Sequence, residues 1–134
     1  MIRGADMKFI VTEKETPVIG KKEQIYISGH PSDSAMFNTI SNEILNLQNA
    51  IVYIDAGHVT GKYSSDEDRL ASLSQMNLMV FLITERFFEA GCKARTLEFD
   101  YAVKNRIPVL PILLQEGIEE IFNRVCGPFH LLNR

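Results

Sequence analysis

The sequence predicts an α/β domain in three layers, a central parallel sheet of four to five strands with helices on both faces. Three observations predict it. Leu78-Met79-Val80-Phe81-Leu82-Ile83 is apolar throughout, and so, prolines included, is Ile107-Pro108-Val109-Leu110-Pro111-Ile112-Leu113-Leu114. Runs this apolar fit parallel strands covered on both faces. Strand-like and helix-like segments also alternate along most of the chain, which gives a parallel sheet with right-handed crossovers.

The elements follow in order. Residues 1–24 carry Gly4, Pro17 and Gly20 among many charges. They are read as an N-terminal extension or leader, with Met7 an alternative start and Lys8–Thr12 a short edge strand. The domain proper is expected over 25–134. Gln24-Ile25-Tyr26-Ile27-Ser28 is a β-branched and aromatic run, and therefore a strand. Gly29-His30-Pro31 breaks it, and Ser32 or Asp33 offers an N-cap. Met36, Phe37, Ile40, Ile44 and Leu47 then recur at helical spacing. Ala50–Ile54 is the second strand, ending at Asp55, and Ala56–Tyr63, with Gly57 and Gly61, reads as a loop. Ser64 and Ser65, followed by Asp66 and Glu67, start a helix whose acids suit its dipole. Leu70, Leu73 and Met76 form its apolar stripe. After the third strand, 78–83, comes a short turn at Glu85–Ala90. A helix is expected over about Cys92–Asn105, then the fourth strand, 107–114. Gly117–Val125 is amphipathic, and Phe129–Leu132 is a candidate fifth strand. This is a flavodoxin-like arrangement. No helix remains to cover the last strand, so the chain is expected to be the front part of a longer protein.

The composition narrows the function classes. One hundred and thirty-four residues make one domain, with 46% hydrophobic and 23% charged residues. A net charge of -3 argues against nucleic acid as the main partner, because phosphate binding needs a basic face. Cys92 and Cys126 belong to no metal-ligand spacing, so no metal is expected. No apolar run reaches the length of a membrane span. A cytoplasmic location with reduced thiols is the expectation.

Glu98 is the leading candidate for chemistry. It lies on the crossover helix between two buried strands, where a side chain can reach the carboxyl ends of the sheet. Open α/β sheets bind ligands there. The plainer alternative is a solvated carboxylate on an exposed helix face. Ser28 and Asp55 close the first two strands, and Asp55 equally suits a cap for the loop that follows. Asp100, two positions beyond Glu98, is expected on roughly the opposite side of the helix.

Several motifs, in order, resemble the Toll/interleukin-1 receptor (TIR) domain of the bacterial type. Tyr26-Ile27-Ser28-Gly29-His30 is similar to its first-strand box. Tyr53-Ile54-Asp55 is similar to its second strand, and Gly61-Lys62-Tyr63 to the end of the long loop after that strand. Leu82-Ile83-Thr84-Glu85-Arg86-Phe87-Phe88 is similar to its third strand and turn. Glu98-Phe99-Asp100-Tyr101-Ala102 and Ile107–Ile112 are similar to its glutamate motif and fourth strand. The resemblance runs from about Ile25 to Leu132. The chain departs from the family pattern in having no Trp, and in carrying Cys92 six residues ahead of the glutamate.

The resemblance implies an NAD+ nucleosidase with Glu98 as its catalytic residue. NAD+ would be the substrate and no cofactor would be needed. The products would be nicotinamide with ADP-ribose or a cyclic form, in anti-phage defence or signalling. It also implies self-association, or association with other TIR domains, through the 56–63 loop. One carboxylate is chemically sufficient, because nicotinamide leaves as a neutral base and only charge on the ribose needs stabilising. For the rest of the dinucleotide, Ser28, Gly29, His30, Asp55, Lys62 and Tyr63 are the candidate binding residues. Backbone N–H groups at Gly29, Ser32 and Asp33 would meet the diphosphate, and His30 would add a donor. Tyr63 or Phe37 would stack on a base, although helical spacing also suits Phe37 to the core. The alternatives are a non-catalytic TIR–TIR interaction module and a nucleoside deoxyribosyltransferase-like enzyme. The latter shares the early strand followed by Gly29 and a comparable glutamate motif.

Overall fold

The structure is a computed structural model that describes residues 9–14 and 21–126. Five strands form one sheet: β1 (Phe9–Glu13), β2 (Glu23–Ser28), β3 (Ala50–Asp55), β4 (Leu78–Ile83) and β5 (Val109–Leu113), in the order β1-β3-β2-β4-β5. β3, β2, β4 and β5 are parallel, with Ile27 beside both Ile54 and Val80. β1 is antiparallel, with Phe9 opposite Asp55. The sheet is therefore mixed at one edge, and that strand precedes the expected domain start at Ile25. The candidate strand at 129–132 lies outside the described residues.

Alternation along β2 sends Ile25 and Ile27 to one face and Tyr26 and Ser28 to the other, and all four are buried. On the first face Ile25, Ile27, Val52, Ile54, Val80 and Leu82 pack with Phe37 and Leu45 of α1 (Phe37–Leu47). On the second face Tyr26, Met79, Phe81 and Ile83 pack with Leu73, Phe87, Phe99, Ala102 and Phe122. These come from α3 (Asp66–Leu73), the segment after β4, and α5 (Ile118–Cys126). The result is a flavodoxin-like three-layer sandwich whose two cores share one sheet.

Three local features differ from the sequence expectation. The 56–63 segment contains a single helical turn, α2 (Gly57–Thr60), closed by Gly61 at φ 77°. The first helix begins with a 3-10 turn, Pro31–Met36, capped by His30 instead of Ser32 or Asp33. His30 Nδ1 accepts the Ser32 N–H at 3.0 Å. Asp33 is buried, accepting from Thr84 Oγ1 at 2.6 Å and from Arg86 Nη1 at 3.0 Å, which ties this turn to the end of β4. The helix expected over 92–105 is a π-helical segment, Ala94–Phe99, followed by α4 (Asp100–Lys104).

Candidate functional site

β2 and β3 end at Ser28 and Asp55, so both side chains lie at the carboxyl edge of the sheet. Both are 1% exposed. The π segment after β4 places Glu98 above them, also buried at 2%. Widened turns of this kind recur at functional sites. Glu98 is thus not the solvated helix-face carboxylate that a bland reading allows. Asp100 takes that position, exposed and paired with Lys104 at 3.3 Å.

Three donors meet the Glu98 carboxylate. The Ser28 hydroxyl donates to Oε1. Tyr26 Oη donates to Oε2 at 2.9 Å, and Arg69 Nη1 donates to the same oxygen at 3.0 Å. Each carboxylate oxygen has room for two such contacts. Oε2 is therefore filled, and Oε1 retains one acceptor position.

Arg69 is 6% exposed and reaches in from α3. Its Nη2 lies 3.2 Å from Asp55 Oδ2. Asp55 Oδ1 accepts the Gly57 N–H at 2.8 Å, so Asp55 both caps the loop and faces the site. The Arg69 guanidinium stands 5.3 Å from the centre of the Tyr63 ring. Tyr63 Oη is 3.0 Å from His58 Nδ1, and the His58 ring packs edge-on to Phe37 at 4.8 Å. The Tyr63 ring lies against Gly57, where a Cβ would sit 2.7 Å from Cε1 and 2.8 Å from Cγ.

The electrostatics follow from burial. Burial pushes the Glu98 carboxyl above the usual glutamate range; Arg69, Ser28 and Tyr26 pull it back, while Asp55 adds to the rise. The Tyr26 phenol is held well above its ordinary value, by burial first and then by Glu98 and Asp55. Burial lowers the pKa of His58, so its imidazole is neutral at pH 7. Burial also raises the Cys92 thiol, which favours the unreactive thiol form.

A cleft of about 300 Å³ opens above Glu98. Gly29, His30 and Pro31 line it from the end of β2. His58, Tyr63, Asp66 and Arg69 line it from beyond β3, and Gly91, Cys92, Lys93 and Ala94 from beyond β4. The site therefore sits at the switch point of the sheet, where strand order reverses around β2 and β4. Lys93 Nζ reaches Asp66 across the mouth, at 3.0 and 2.9 Å from its two oxygens.

Of the candidate residues, Glu98, Gly29, His30 and Tyr63 line this cleft, while Ser28 and Asp55 are buried at the sheet edge and face Glu98 and Arg69. Lys62 is exposed and does not line it; its backbone instead closes a small turn with Thr60. The expected diphosphate donors at Ser32 and Asp33 are already used, by His30 Nδ1 and by the His30 carbonyl at 2.9 Å. His30 Nε2 is itself 3.0 Å from Glu89 Oε1. Phe37 is 2% exposed and belongs to the core.

Sequence reasoning missed Arg69 and the Tyr26 hydroxyl. A signal existed for each. Arg69 shares its helix face with Leu73, four residues on, so it points inward. Tyr26 shares its strand face with Ser28. Among the described residues, no group of three or more His, Cys, Asp or Glu is placed to hold a metal ion. No helix among them is long and apolar enough to cross a membrane. No protein-family model, no curated protein and no solved structure matches this chain.

Proposed function

We propose that this chain is a TIR-type NAD+ nucleosidase in which Glu98 promotes cleavage of the bond between nicotinamide and ribose. The observation that carries the reading is a buried carboxylate at the floor of a cleft, with one open acceptor position on Oε1. A ribose hydroxyl donates to that position. The carboxylate then lies beside the positive charge that grows on the ribose as the bond to nitrogen lengthens. The bonding pair moves to the pyridinium nitrogen and nicotinamide departs neutral. Water forms the new bond to the anomeric carbon and gives up its proton, leaving ADP-ribose. An internal nucleophile in place of water gives the cyclic form.

The cleft volume is near the lower limit for ligand sites, about 300–1,000 Å³. It receives the ribosyl-nicotinamide half, and the adenosine half lies across the mouth. A second copy docked through the 56–63 loop would cover that half. Val59 and Tyr63 in this loop are exposed apolar residues, which supports such docking and also favours the second reading, an interaction module without activity.

The test is nicotinamide release from NAD+, measured by chromatography at high protein concentration with a crowding agent. Release by the native chain and at least a 100-fold loss in Glu98→Gln and Glu98→Ala, both still folded by circular dichroism, are expected, in line with ~10²–10³ for loss of one electrostatic stabiliser. Release that survives both substitutions sinks the mechanism. Its absence under all assembly conditions favours the interaction module, and base release from deoxynucleosides favours the transferase.

A further inference from the structure

We infer that Arg69 is the positioning residue of this site: its guanidinium, shared between Glu98 and Asp55, favours the charged form of Glu98 and turns its open acceptor towards the cleft. The catalytic half of this inference rests on the nucleosidase reading, but the ionisation half does not.

The geometry is specific. Arg69 Nη1 meets Glu98 Oε2 at 3.0 Å and Nη2 meets Asp55 Oδ2 at 3.2 Å. All three side chains are at least 93% buried. Because Arg69 and Tyr26 both occupy Oε2, the free acceptor falls on Oε1. A planar guanidinium can hold two carboxylates at fixed angles in a way that an ammonium cannot. Two buried carboxylates share this one cation, so the site depends on it strongly.

The charged and titratable groups that face Glu98 come from every neighbouring element. They are Tyr26 on β2, Asp55 on β3, Arg69 on α3, Tyr63 from the loop ahead of α3, and Cys92 before the π segment. Of these, only Arg69 is a cation. Asp55 acts against it, raising the Glu98 pKa. Substitutions at Arg69 and Asp55 should therefore shift Glu98 in opposite directions.

The same guanidinium stacks against Tyr63, while Asp55 anchors Gly57. Arg69 thus touches both ends of the 56–63 loop's framework as well as Glu98.

The experiment uses the whole chain labelled with ¹³C at glutamate side-chain carboxyls, Glu98 being assigned by its loss in Glu98→Gln. In Arg69→Met the Glu98 titration should move up by about one pH unit or more, about tenfold in its ionisation constant. The acid limb of nicotinamide release should move with it, while KM for NAD+ changes little. Arg69→Lys should restore part of the shift. Asp55→Asn should move the Glu98 titration down, and it serves as the test if Arg69→Met does not fold. A Glu98 titration unchanged in folded Arg69→Met overturns the inference, as does an upward move in Asp55→Asn. If the native chain releases no nicotinamide, the nucleosidase reading fails while the titrations still decide the ionisation role.

Discussion

A carboxylate that is 2% exposed and shares one guanidinium with a second carboxylate affects stability as well as chemistry. Burial raises the folded-state pKa of Glu98. An unfolded glutamate titrates near ~4.3. The unfolded chain therefore loses this proton first as pH rises. The stability that Glu98 contributes is fully present below the unfolded value and is lost as pH climbs through the raised folded one. Glu98→Gln has no such titration. In urea denaturation series, its stability relative to the native chain should improve between about pH 4 and pH 7. A difference that stays flat across that range would contradict the burial argument. Ser28→Ala removes a donor to Oε1, so it should raise the Glu98 pKa and move the acid limb of activity upward, by less than Arg69→Met does.

At the scale of elements, two short segments hold the site in shape. α3 starts at Ser65, whose Oγ accepts the Asp68 N–H at 3.2 Å, and three acids occupy its first turn. This start fixes the helix that delivers Arg69 one turn later. Ser65→Ala should cost about 0.5–2 kcal/mol in chemical denaturation. The turn over 56–63 is closed by the Tyr63 ring lying on Gly57. Gly57→Ala forces a methyl group into that ring and should cost about 1–3 kcal/mol. It should also change Tyr63 fluorescence, since the ring has to leave Gly57. The sequence shows the capping signal at Ser65 plainly. It does not show the helical turn inside the 56–63 segment, because two glycines in eight residues lower every local helical preference. The π segment is hidden for a related reason. Ala94, Glu98 and Ala102 keep a four-residue spacing that an ordinary helix satisfies equally well, and the packing of Phe99 among Phe81, Phe87 and Phe122 is a tertiary contact that spacing alone does not show.

At the scale of the molecule, the parallel core is legible because the β4 and β5 runs are apolar on both faces and helical segments separate the strands. The antiparallel edge strand is legible only as a strand, since Phe9–Glu13 carries no sign of which neighbour it joins. Its pairing matters to the site. Phe9 packs edge-on to Tyr26 at 6.0 Å and to Tyr53 at 5.1 Å, directly behind the phenol that holds Glu98. Phe9→Ala should therefore destabilise the fold by about 1–3 kcal/mol, less than the 3–5 of a fully buried phenylalanine, and should weaken activity through Tyr26. The site itself is partly legible. Glu98, Ser28 and Asp55 are found from their places at strand ends and on the crossover. Arg69 is harder to find, because it stands beside three acids on its helix as a surface charge would, and only its four-residue spacing from Leu73 places it on the buried face.

The most direct measurement is a crystal structure of the Glu98→Ala chain with NAD+ bound. The nicotinamide-bearing ribose is expected in the cleft above Ser28, its hydroxyls directed to the space that the Glu98 carboxylate occupies in the native chain. NAD+ bound with that ribose elsewhere, or no NAD+ at a saturating concentration, would contradict the nucleosidase reading.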